Sequence, residues 1–413
     1  MAIGSTWFGC ISEVMLDSTA VVTLYFFALG GSAAMTVFVA GFSNLTGMLF
    51  MILSANLIVR TGLKRLVKYA CLFGMSGLVL AAFAPYFGAS GKYIALVGCL
   101  MYCFQRPFYG AAWYPLLDNF LRPQDRGTFF GVMRFSYMLI ISIPFFLLGI
   151  FMGKEASVLL LQIIIAIAGI ALLGRWLFIE RLPVDPEAQR ETPGIRKALK
   201  ISLHNGPLTG YAVYVCFFTI AYSPIYPLIL AYLKEYIKLS AGEVQLISSV
   251  WIGGQVIPFL FYGKLLKTFG LKKLELTVHF AVFCVAFALF IIPANLNNYF
   301  WAAFFLVLLL SMAQSCYMCN NSAEIMALAR PGNKSMATAF SQTYQGMGGA
   351  VGRNLSSALL GFGLLAPVWN LGGMEFSNYQ TLFLLSAVIA LVIFCMLPIM
   401  PSVIPNHDDY YMP

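Results

Sequence analysis

Glu13 and Asp17 stand four residues apart inside one apolar run, and Arg106 and Arg134 stand inside two later ones. An ionisable side chain within a membrane-length apolar segment is costly, so such residues are the first candidates for handling a solute, an ion or a proton. The spacing of Glu13 and Asp17 puts both on one helix face. Asp17 and Arg106 lie near the centres of their runs. Glu13 and Arg134 each lie about five residues toward one common membrane face, roughly 7–8 Å at a helical rise of 1.5 Å per residue. Two acid–base pairs at two matching depths are therefore expected, Asp17–Arg106 and Glu13–Arg134. A carboxylate whose access to water alternates can gain a proton on one side and lose it on the other. Asp17 or Glu13 is thus the candidate proton carrier, with sodium the alternative ion. A permanent Asp17–Arg106 ion pair holding two helices together is the competing reading.

Three polar or aromatic stripes accompany these charges. Tyr102, Arg106, Tyr109 and Trp113 follow helical spacing, with Gln105 beside them; Tyr211, Tyr214, Phe218, Tyr222 and Tyr226 do the same, and Ser311, Gln314, Met318 and Asn321 form a third set. Each alone reads as core packing or an interfacial aromatic belt. Together, an arginine, amides and aromatics suit a small polar organic solute such as a carboxylate or a sugar. Arg353 follows the glycine-rich stretch Gly346 to Gly352, which lets another helix approach closely, and reads as a gate or a second anion contact. His279 reads as a buried neutral histidine, with a proton relay the alternative. Cys316 and Cys319 have metal-like spacing but no second Cys/His pair, so they read as packing residues. With no nucleophile–base pair and no phosphate-binding loop, the sequence points to no enzyme, no cofactor and no metal.

The elements that position these residues are membrane spans. Of 413 residues, 60% are hydrophobic and 10% charged, with mean hydropathy +0.83, against about 25% charged in a globular protein. Twelve segments long enough for a hydrocarbon core of ~30 Å are predicted: 7–29, 34–59, 66–88, 93–117, 127–151, 156–179, 208–232, 243–263, 274–293, 299–325, 336–363 and 379–400. The net charge of +9 is carried by alternate loops, around Arg60 to Lys68, Arg122 and Arg126, Arg181 to Lys200, Lys264 to Lys273, and Arg330 and Lys334. This is a topology signal and not a nucleic-acid footprint: it places those loops and both termini in the cytoplasm, with anionic lipid as a contact. The expected location is the cytoplasmic (inner) membrane. The polar stretch 180–207 separates a first six-helix bundle (1–179) from a second (208–400), and 401–413 forms a cytoplasmic tail. Within the linker, Ile195 to His204 could form a short amphipathic surface helix.

The two bundles echo each other at an offset of 208 residues. Ala55 to Arg65 returns as Gly263 to Lys273, Leu121-Arg122-Pro123 as Ala329-Arg330-Pro331, and Ser32-Ala33 as Ser240-Ala241. The loop copies, with Gly263, Leu265, Gly270 and Lys272-Lys273 in one and Leu57, Arg60, Gly62 and Lys64-Arg65 in the other, resemble the signature of the major facilitator superfamily, and Arg126-Gly127 resembles the pair that often follows its fourth helix. The resemblance implies an all-α fold of two pseudo-symmetric six-helix bundles around a central cavity lined by spans 1, 4, 7 and 10. It further implies secondary active transport of a small molecule by a monomer, through alternating access. The signature's acid is replaced by Val59 and Lys267. Arg60 and Asp118 remain as an implied gating latch in the first bundle, and both are lost at the matching Thr268 and Met326; two independent interfacial charges are the alternative. Span 5 has Pro144 and Gly149 without the glycine–proline pattern of the family's drug exporters, which weakens, without removing, an exporter of amphipathic compounds. A non-transporting sensor or assembly protein is the remaining alternative.

Overall fold

Lipid offers the backbone no hydrogen-bond partners, so a spanning chain must satisfy its own amides. The computed structural model describes residues 1–118, 126–183, 195–330 and 333–400, and the chain there is almost entirely helical. The linker from Val184 to Gly194 and the tail from Pro401 lie outside the described residues. The helices are α1 (Ala2–Asp17), α2 (Val21–Ala28), α3 (Ala33–Thr61), α4 (Leu63–Phe83), α5 (Gly91–Asp118), α6 (Arg126–Phe151), α7 (Val158–Glu180), α8 (Ile195–Leu203), α9 (Gly206–Tyr222), α10 (Ile225–Glu235), α11 (Ala241–Ile291), α12 (Tyr299–Leu328), α13 (Lys334–Gly361) and α14 (Asn378–Met396).

By length and hydropathy, eight stretches of the described residues can cross a membrane, or nine with α1 and α2, which meet at a bend of 52°. Two of the eight, Leu63–Trp113 and Ala241–Ile291, run 51 residues, ~76 Å at 1.5 Å per residue, and each doubles back. Counting both arms of each, the bent pair and the more polar α13 gives the twelve segments that the sequence predicts. The lipid-facing surface is apolar: Leu159, Ile163, Ile167 and Ile170 stand exposed on α7 at helical spacing, while Leu161, Ile165, Ala168 and Leu172 are buried on its other face.

The 208-residue echo is visible in three dimensions. Gly62 (φ 82°, ψ 145°) separates α3 from α4, and Gly270 (φ 73°, ψ 160°) separates the two arms of α11. A side chain would be strained in that backbone conformation, which explains why both copies keep glycine there. The Gly242 N–H donates to the Gly153 carbonyl at 2.9 Å, and Ala34 packs on Gly361, the contact related by the same offset. Tyr226 donates to the carbonyl of Ser18 at 2.8 Å, and these two residues are themselves 208 apart. A residue touching its own counterpart lies on the pseudo-two-fold axis, so the axis passes the break in the first span.

One element departs from the all-helical expectation. Before α14, β1 (Val368–Leu371) and β2 (Met374–Ser377) pair antiparallel around Gly372-Gly373, both at positive φ, which favours the tight two-residue turn. Trp369 stacks on Phe376, which stacks on Phe290 at 4.7 Å. Ser377 and Gln380 then form the capping box that starts α14.

Candidate functional site

The two bundles touch at the membrane face opposite the basic loops. There α3 packs along α13 and α6 along the first arm of α11. Ser357 donates to the Ala34 carbonyl at 2.7 Å, and Gln245 to the Phe145 carbonyl at 3.2 Å. The glycines of α13 serve two neighbours. A Cβ on Gly346 or Gly349 would come within 3.0 Å of Met48 N and 2.7 Å of the Asn44 side chain on α3, whereas one on Gly348 or Gly352 would meet backbone carbonyls of α9 at 2.1 and 2.4 Å. Only glycine permits both approaches from one helix.

On the basic side of this seal lies a central cavity of about 470 Å³, lined from both bundles. Its polar pole is formed where α1 ends. Asp17 is the last residue of α1, and the break that follows leaves its side chain facing α5. Arg106 Nη1 donates both to Asp17 Oδ2 and to Ser43 Oγ on α3. Arginine and aspartate keep 29% and 21% exposure, toward the cavity. Asp17 Oδ1, Gln314 Oε1 and Ser223 Oγ are buried polar atoms with no hydrogen-bond partner among the described residues, an arrangement that is costly unless a ligand or solvent supplies one.

The predicted Asp17–Arg106 pair is thus formed, but the predicted Glu13–Arg134 pair is not. Glu13 Oε1 accepts from Arg175 Nη1 at 2.6 Å, and Arg175 comes from α7. The Arg175 guanidinium lies 3.8 Å from the centre of the Tyr109 ring and against Gly9, where a Cβ would fall 1.5 Å from its Nε. Arg134 instead spans the two bundles: its Nη1 donates to Cys319 Sγ at 3.8 Å, and its guanidinium lies 5.5 Å from the Phe259 ring. Matching depth was the reason for pairing it with Glu13. Depth fixes one coordinate, and the direction in which a helix face points fixes the partner.

The stripes divide in the same way. Arg106, Tyr109, Trp113, Tyr222 and Gln314 line the cavity, joined by Gln342 and Gln345. Tyr102 and Gln105 are fully buried within the first bundle, Gln105 against Gly74 of α4, and do not reach the cavity. Residues 102 to 106 make more than one helical turn, so a loosely spaced stripe covers more than one face. Asn321 stands behind the wall, donating to Gln345 Oε1 at 3.3 Å. Arg353 lines the cavity at the seal. Its Nε donates to the Ser223 carbonyl at 2.9 Å and its Nη1 to the Ala40 carbonyl of α3 at 3.1 Å, which joins the two bundles. Arg60 is exposed, and the side chain of its expected partner, Asp118, lies outside the described residues. The sequence reading missed Arg175 and Glu275 (described below). Both stand inside predicted spans but toward one end, not at mid-depth like Asp17, and a charge there reads as an interfacial anchor.

A broken-helix cavity between two pseudo-symmetric bundles, with an ion pair at its polar end and a seal on one side, defines a membrane transporter and not an enzyme. The profile of the major facilitator superfamily matches residues 6–352 and 211–409. The chain belongs to that superfamily and is an integral, multi-pass membrane protein. No curated protein sequence matches it. Among solved structures, it resembles the nucleoside transporter NupG in its D323A mutant form (TM-score 0.70, 15% identity, covering 97% of this chain and 100% of that one). It also resembles the inward-open xylose transporter XylE from E. coli (TM-score 0.66, 13% identity, 95% and 94% covered). At these identities the likeness establishes the fold.

Proposed function

We propose that the protein is a proton-coupled secondary transporter of a small polar organic solute, either an organic anion or a sugar-like molecule. The observation that carries this reading is the shared guanidinium: Arg106 holds Asp17 and Ser43 at once, while Asp17 Oδ1 has no partner among the described residues. A solute carboxylate or hydroxyl that competes for Arg106 draws it from Asp17, and the released carboxylate takes up a proton. Solute and proton then occupy the site together, and the bundles 1–179 and 208–400 rock about it. Gln314, Gln342, Gln345, Tyr109, Trp113 and Tyr222 supply amide and aromatic contacts of the kind that bind hydroxylated rings. Sodium at Asp17 is the alternative coupling ion.

The basic loops orient the protein with both termini in the cytoplasm of an inner membrane. On that orientation the seal faces outward and the cavity communicates with the cytoplasm. The pseudo-two-fold encloses the whole path in one chain, so the monomer is the working unit, surrounded by lipid.

The test is flux into proteoliposomes under an imposed pH gradient, with nucleosides, pentoses and small organic acids as the first solutes. Uphill accumulation of at least one is expected, and Asp17→Asn abolishes it. Flux that ignores the proton gradient refutes proton coupling, and no flux of any tested class favours the sensor alternative.

A further inference from the structure

The second bundle contains a polar network that the cavity does not use. On the second arm of α11, Glu275 and His279 are 3% and 0% exposed and stand one turn apart. Tyr214 of α9 places its hydroxyl against both, at 3.0 Å from Glu275 Oε1 and in a short contact with His279 Nε2. Asn320 of α12 donates to Glu275 Oε2, and its own Oδ1 accepts from Tyr262 at 2.7 Å, which fixes the amide's orientation. His279 Nδ1 lies 2.7 Å from the Glu275 carbonyl, an acceptor, so Nδ1 carries a hydrogen.

Two contacts meet at the Tyr214 oxygen, one to a carboxylate oxygen and one to Nε2. The hydroxyl has a single hydrogen and can donate to one of them. The other contact is a hydrogen bond only if the partner brings its own hydrogen, from Glu275 Oε1 or from His279 Nε2. Glu275 Oε2 is already occupied as an acceptor from Asn320. A neutral imidazole and an ionised carboxylate together are therefore one hydrogen short. Either protonated arrangement is neutral overall, and the two interconvert by a shift through the Tyr214 hydroxyl: Glu275–OH to Tyr214 to Nε2, or Nε2–H to Tyr214 to the carboxylate.

The neighbours offer no other source of neutrality. The titratable groups facing the network are Tyr211 and Tyr214 of α9, Tyr262 of the first arm of α11, and Cys316 and Tyr317 of α12, with Cys319 and Glu324 of α12 within reach of Tyr262. On α14, Tyr379 is tied to Glu235 elsewhere and Cys395 is exposed. Lys272 and Lys273 are exposed, and among the described residues no cation forms an ion pair with Glu275. An ionised carboxylate buried without a cation is among the costliest groups a membrane protein can hold.

We propose that the Glu275–Tyr214–His279 triad is a proton-binding site of the second bundle, loaded independently of the central cavity. Its occupancy is communicated toward the cavity by ring contacts. The His279 ring lies 4.0 Å from Phe218, and Phe218 stacks on the cavity residue Tyr222 at 5.8 Å. Loss of the proton removes one of the two bonds that tie α9 to α11, so the helix carrying Thr219 and Tyr222 is held less firmly.

The experiment is infrared spectroscopy of the full-length protein in proteoliposomes, titrated with alkali. The expected result is one proton released from this site. It is read as a protonated-carboxyl C=O band that Glu275→Gln lacks, or as an imidazolium band that His279→Gln lacks. Asp17→Asn leaves that band in place. Glu275→Gln preserves the hydrogen-bond pattern of the loaded state, because its amide can donate to Tyr214. Should it nonetheless fail to accumulate, Tyr214→Phe removes the central acceptor and shifts the band. No band assignable to either residue, or a band unmoved by Tyr214→Phe, overturns the proposal. No solute flux enters this readout, so its failure leaves the transport reading standing, and the reverse also holds.

Discussion

Breaking the Glu13–Arg175 pair from its two ends should not cost the same. Arg175 is 1% exposed at the side chain and Glu13 is 27% exposed, facing the cavity. Glu13→Leu fills the carboxylate's place, keeps water out and strands the guanidinium, a loss of about 3–5 kcal/mol for a buried charge without its partner. Arg175→Met leaves a carboxylate that cavity water can solvate. There the pairing itself contributes about 0–1 kcal/mol, and the lost stacking of the guanidinium on Tyr109 adds about 2 kcal/mol in a desolvated setting. The double variant retains neither charge. It should be more stable than Glu13→Leu alone, with a coupling energy of about 2 kcal/mol or more between the sites. Reversible unfolding of the four full-length proteins in mixed micelles closes the cycle. A Glu13→Leu variant no less stable than Arg175→Met, or a double variant at the sum of the singles, would refute the reasoning.

Gly9→Ala should behave as a disguised Arg175 variant. Its methyl group would overlap the guanidinium, at 1.5 Å from Nε, and restoration of stability in Gly9→Ala/Arg175→Met relative to Gly9→Ala alone is the check. Arg353→Leu removes charged hydrogen bonds to Ala40 and Ser223, worth about 1.5–3 kcal/mol each. The seal should open in a larger share of molecules, by about tenfold for the lower figure. Spin labels at the exposed Ser32 and Phe362 report it as a longer distance population, and an unchanged distribution removes Arg353 from the gate.

How much of this was legible in the sequence depended on which coordinate was asked for. Position along the membrane normal was: hydropathy alone placed the spans close to where α3 to α7 and α9 to α14 run, and glycine with paired cations marked the turns at Gly62 and Gly270. Asp17 and Arg106 met because both sit at mid-depth on helices that border the cavity. Rotation about each helix axis was not legible. Glu13 and Arg134 share a depth, yet α6 turns Arg134 toward Phe259 and Cys319 of the other bundle. Arg175 was passed over because it stands near the end of an apolar run, where a cation reads as an interfacial anchor. The matching clue was Gly9, which leaves room on α1 for a large side chain from α7. In a span that is apolar on all sides, the periodic contrast that reveals a buried face in a soluble helix is missing.

The duplication also sharpens what the two polar networks have in common. Tyr109 and Tyr317 are 208 residues apart, and each lies beside its bundle's network. Cys71 maps to His279, whereas the β1–β2 hairpin before α14 shifts the register, so Arg175 of α7 has no counterpart at that offset. The first bundle neutralises its cavity-facing acid, Glu13, with an arginine, which cannot be deprotonated at physiological pH. The second has a histidine where the first has cysteine. Where the first bundle uses a fixed cation, the second holds a group that can gain or lose a proton.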